Sequence, residues 1–194
     1  APDRATVSIG VVSQAKDAKA VQEENAKKAT AVTRALVAGG IPEANIQTRG
    51  YYFQPLYEHP SAGHENEITG YQAENTVTVL VENIADVSRV IDLALKNGAN
   101  SISSLNFGTK NTEKVRKTAL NAAVNDARKK ADDFAAALGK RIVGLKAVSE
   151  SSYPLAERSV SSKMLMANGA APTPIAPGML EMSVDVHIEY YLSE

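Results

Sequence analysis

Gly70-Tyr71-Gln72-Ala73-Glu74-Asn75-Thr76-Val77-Thr78-Val79-Leu80-Val81 alternates between two chemistries, and that alternation decides the fold. Tyr71, Ala73, Asn75, Val77, Val79 and Val81 share one side, while Gln72, Glu74, Thr76 and Thr78 share the other. A period of two is that of a half-buried β-strand, so one face of this stretch is core. Asn75 is the polar exception on the apolar side, and a buried amide needs partners. It is expected to bond backbone near a neighbouring strand end, as a structural residue rather than a ligand contact.

Upstream, residues 46–54 read as a second strand rich in aromatics (Tyr51, Tyr52, Phe53), which Pro55 ends or confines to a sheet edge. The polar stretch 55–69, with Pro60, Gly63, His59, His64 and three glutamates, then reads as the tip of a long hairpin. Residues 5–13 give a first strand through Val7, Ile9 and Val11. A helix follows from about 16 to 38, its stripe running through Ala18, Val21, Asn25, Ala29, Val32 and Leu36. Gly39-Gly40 stops it before Ile41-Pro42.

Downstream, Asn83 to Asp86 offers an N-cap for a short helix over 84–97, with Val87, Val90, Ile91, Ala94 and Leu95 as its stripe. A weaker strand over 101–107 leads into the longest helix, 112–138, closed by Gly139. Its apolar side is largely alanine (Ala119, Ala123, Ala127, Ala131, Ala135), so close packing on its neighbour is expected. Residues 142–149 read as a fifth strand, and 180–192 alternate throughout, which predicts one buried and one wet face. The order β-α-β-β-α-β-α-β-β predicts an α+β fold, a mostly antiparallel sheet with helices on one face. Residues 1–194 then form a single domain; 5–82 and 100–192 look like two similar halves linked by the helix over 84–97, through duplication or through coincidence of element order.

Composition narrows the function classes. With 194 residues, 44% apolar, 21 basic and 22 acidic side chains, the chain has the balance of a globular protein with no charge run. That argues against a nucleic-acid partner held through phosphates. No stretch approaches the roughly 18–20 uninterrupted apolar residues of a spanning helix, which leaves peripheral envelope association open. The absence of cysteine excludes thiol catalysis, thiolate metal sites and disulfides. The chain opens on Ala1 rather than methionine, for which a removed secretory signal is one natural explanation.

The candidate sites are few. Imidazole and carboxylate suit a divalent metal, so Glu58, His59, His64 and Glu65 are weak metal candidates, although a solvated loop explains them as well. His187 lies on the wet side of the last strand without a Ser or Cys nucleophile motif. Gly39-Gly40 follows a helix, the wrong end for anion binding. Tyr52, Phe53 and Tyr57, with Tyr51 and Tyr71 nearby, form an aromatic patch that suits core, subunit interface or ligand platform, in that order. Residues 164–179 carry no charge; exposed, Met164, Leu165 and Met166 would be a sticky patch of the kind that marks a partner surface.

Ile41-Pro42-Glu43-Ala44-Asn45-Ile46-Gln47-Thr48, Gln54-Pro55-Leu56-Tyr57, the 70–79 strand and Ala119-Leu120 through Ala127-Arg128-Lys129-Lys130-Ala131, in that order and spacing, resemble the SIMPL-domain family, formerly a domain of unknown function. The resemblance covers nearly the whole chain. It implies a secreted or periplasmic protein made with a signal peptide, no enzymatic activity and no catalytic residues, no cofactor, homo-oligomers, and a setting in envelope or oxidative stress defence. The alternative is a small-ligand or metal-binding module of the envelope, using the aromatic patch and the His59/His64 loop.

Overall fold

The computed structural model describes residues 1–57, 67–152, 158–160 and 175–194, excluding the side chains of 152 and 158–160. The chain divides into two units, Ala1–Gly108 with Arg158–Gly178, and Thr109–Glu157 with Met179–Glu194.

The first unit contains β1 (Arg4–Ala15), α1 (Ala18–Ala38), β2 (Ile46–Tyr57), β3 (Ile68–Val81), α2 (Val87–Lys96) and β4 (Ser101–Gly108). The second contains α3 (Thr112–Ala137) and β5 (Ile142–Ser152). A short β6 (Arg158–Val160) returns to the first unit, and β7 (Val184–Leu192) completes the second. The α+β class and the element order are those expected from periodicity. The strands are shared between two antiparallel sheets, β2-β3-β1-β4-β6 and β5-β7. The short β6 had no signal in the sequence; its backbone pairs with Leu105 to Phe107 of β4.

In the first sheet the 70–81 stretch occupies the second position, with β1 on one side and β2 on the other. Its alternation is explained by what covers it. Ala73, Val77, Val79 and Val81 are buried together with Val7, Ile9 and Val11 of β1 and Leu105 and Phe107 of β4. Val32 and Leu36 of α1 and Val87, Val90, Ile91 and Ala94 of α2 join the same core. Each helix is amphipathic, and its apolar stripe is what it lays on the sheet. Asp17 caps α1 by accepting a hydrogen bond from the Ala20 N–H at 2.8 Å. At the other end Gly40 takes φ +93°, and the Ile41 N–H reaches back to the Leu36 carbonyl at 3.1 Å. Strand β2 runs through Pro55 to Tyr57 because it is an edge, where a missing N–H leaves no ladder bond unmade on the open side.

The second unit is one helix on two strands. Directly opposite residues share a face in an antiparallel pair, so the register Val148 to Ile188 and Leu145 to Tyr190 puts these four on one side. Arg128 of α3 sits over the Tyr190 ring at 5.3 Å from its centroid, which identifies that side as the one under the helix. Arg116 of α3 pairs with Glu150 on the same side. The expected burial of this unit does not occur. Among the described residues of the second unit, Ala135 is the one buried apolar side chain of α3, and the inner residues of β7 are half-buried. The strand starts at Val184, so residues 180–183 are not part of it. Ala119, Ala123, Ala127 and Ala131 are half-buried, so two strands cover the alanine face of α3 in part, while Phe134 and Leu138 stay exposed.

Candidate interaction surface

Two surfaces expose side chains that water would ordinarily exclude. The first is on the edge strand β2. Tyr51, Tyr52, Phe53 and Tyr57 are exposed, with Tyr52 at 67%, so the aromatic patch is not core. An edge strand has a neighbour on one side alone, and helix α1 lies over β1 and β3 rather than over β2. Phe53 stacks on Tyr71 of β3, ring centroids 5.8 Å apart and planes 21° from parallel, which holds this part of the patch rigid.

The second surface belongs to the α3-β5-β7 unit. Phe134 and Leu138, one turn apart at the end of α3, are 71% and 66% exposed. On β5, Leu145 and Val148 are 59% and 56% exposed although they lie on the helix-facing side of the sheet. Val143 of β5 is exposed as well. The opposite side of the sheet carries the exposed Tyr191 and is otherwise polar and ion-paired. Glu189 accepts from Lys146 at 2.7 Å and stands 3.6 Å from His187 Nε2. Asp132 bonds Arg128 at 3.1 Å and pushes its pKa up from the ordinary value, so the cation over Tyr190 stays charged.

The residues singled out in the sequence are scattered. His59, His64, Met164, Leu165 and Met166 lie outside the described residues. His187 is exposed on β7. Asn75 is half-buried between Val11 and Tyr51 in the register, so it is not the buried amide expected there. That amide is Asn25, fully buried on α1, whose Nδ2 donates to the carbonyls of Val11 at 2.8 Å and Ala73 at 3.0 Å. The signal was present: Asn25 interrupts an apolar helical stripe just as Asn75 interrupts an apolar strand face. Among the described residues no three His, Asp or Glu side chains gather as a metal site. No described helix is long and apolar enough to cross a membrane.

Two antiparallel sheets with helices laid on them place the chain in the α+β class. It belongs to the SIMPL family, described as a protein of unknown function (DUF541), whose family model matches residues 1–190. The 26 kDa periplasmic immunogenic proteins of Brucella melitensis biotype 1 and Brucella abortus strain S19 are each 31% identical over 197 residues, covering 97% of this chain and 78% of theirs. The uncharacterised protein YggE of Escherichia coli strain K12 is 29% identical over 142 residues, 71% of this chain and 57% of its own.

Proposed function

We propose that this is a non-enzymatic protein of the cell envelope, outside the cytoplasm, that works by assembling with copies of itself in defence against envelope or oxidative stress. The observation that carries assembly is the bared apolar surface of the second unit, where Phe134, Leu138, Leu145 and Val148 face water. A helix over two strands with a single buried helical side chain has little core of its own, and exposed apolar side chains on both its helix and its strand β5 suit a protein contact. The word periplasmic in the names of the Brucella relatives supports the location. Size-exclusion chromatography with light scattering tests the reading. A mass of several times 20.6 kDa is expected, and a monomer at every concentration would contradict it.

A further inference from the structure

The bared surface has a shape as well as a chemistry. In the first unit α1 roofs two adjacent strands, β3 and β1. In the second unit α3 lies chiefly over β7, away from β5, and among the described residues no strand pairs with the outer edge of β7. The helix therefore overhangs the position just outside β7, where the first unit has a strand and the second has none. Strand β5 is the converse: its roof-side residues Leu145 and Val148 have no helix above them.

We propose that β5 of one copy of this chain seats antiparallel against β7 of the next, beneath the second copy's α3. This deepens the assembly reading and rests on it. Each β7 would then gain the missing strand, and each Leu145 and Val148 a helix. Strand addition at an open edge supplies ladder hydrogen bonds along the whole contact.

Spacing selects this pairing among the three that two open edges allow. Strands lie about 4.8 Å apart, so joining β7 to β7 would put two α3 helices about 5 Å apart, inside the 8–10 Å at which helices pack. Joining β5 to β5 would separate them by about 14 Å and leave both overhangs empty. Joining β5 to β7 repeats one helix every two strands, about 10 Å, which is a helix-packing distance. Charge agrees. The approach to β5 and its first half carry Lys140, Arg141 and Lys146, whereas β7 carries Asp185 and Glu189 with no lysine or arginine. Pairing β7 with itself would oppose acidic rows; pairing β5 with β7 brings Lys140, Arg141 and Lys146 towards the Glu189 end of β7, Glu150 being the one acidic side chain on β5. Such a head-to-tail contact builds rings or filaments rather than two-fold dimers.

The chain has no cysteine, which makes the test clean. Single variants of the full chain, Ala147→Cys, Ser149→Cys or Ser151→Cys on β5, are each co-expressed with Asp185→Cys or His187→Cys on β7, purified, sized by light scattering and mildly oxidised. All five sites are exposed on the face away from α3, and β5 runs without a bulge from Ala147 to Ser152. The expected result is disulfide-linked dimers in at least one β5-plus-β7 mixture and none from any variant alone. Opposed residues on paired strands fall within the Cα separation a disulfide needs, whereas two β5 strands held two spacings apart, about 10 Å, do not. Oligomers whose mixtures do not cross-link, or single variants that cross-link as readily as the mixtures, would overturn the β5-to-β7 contact and leave assembly standing. A monomer would overturn both.

Discussion

The side-chain amide of Asn25 donates to the backbone carbonyl of Val11 across 2.8 Å inside the helix-sheet core, tying α1 to β1. The same nitrogen reaches Ala73 of β3 at 3.0 Å, so one side chain joins the helix to both strands beneath it. Its position is fully buried, where no water can replace these bonds without rearrangement. Asn25→Ala removes both donors and leaves a small cavity. The loss expected in urea unfolding is about 2–4 kcal/mol, from unmet buried polar groups plus lost packing. An unchanged midpoint would show that the bridge contributes nothing.

At the start of the signature strand, Gly70 is constrained by contact rather than by its torsion angles. A Cβ there would stand 2.9 Å from the Ala15 carbonyl oxygen, a backbone atom at the end of β1 that cannot simply rotate away. Gly70→Ala should therefore spread the ends of β1 and β3 and cost about 1–3 kcal/mol, the range of an overpacked site. Amide hydrogen exchange would report it as faster exchange at Tyr71 and Ala15 with β3 near Val79 unaffected.

Two phenylalanines separate fold from surface. Phe107 of β4 is fully buried, and Phe107→Ala should cost about 3–5 kcal/mol of stability. Phe134 of α3 is mostly exposed, and in an isolated chain Phe134→Ala should shift stability by no more than about 0.5 kcal/mol. Its expected effect is on association, seen as a lower mean mass at a given concentration. Equal losses of stability in the two variants at high dilution would contradict the exposure of Phe134.

The legible part of the molecule was the part that periodicity controls. The 70–81 alternation, the helical stripe through Val21, Val32 and Leu36, and the Gly39-Gly40 stop each led to the right element, because local spacing and local backbone chemistry determine them. Pro55 left two readings for β2, an edge strand or an end at residue 54; the strand is an edge and runs on to Tyr57. Which sheet a strand joins was not legible, since pairing depends on distant residues: the alternation of β7 reports two faces but not how much of either is covered. The alanine face of α3 was likewise readable as an interface, but not that its cover would be partial. Asn25 was overlooked because a helix of otherwise small and charged residues disguises a single buried amide better than a strand of valines does.

Assembly through the second unit is tested most directly by comparing the light-scattering mass of the natural chain with that of Leu145→Asp/Val148→Asp. Both side chains are exposed in a single copy, so the double variant should fold with an unchanged far-UV spectrum. The expected result is a multimer for the natural chain and a 20.6 kDa species for the variant. The same multimeric mass for both would show that β5 is not part of the contact, and a monomeric natural chain would contradict assembly itself.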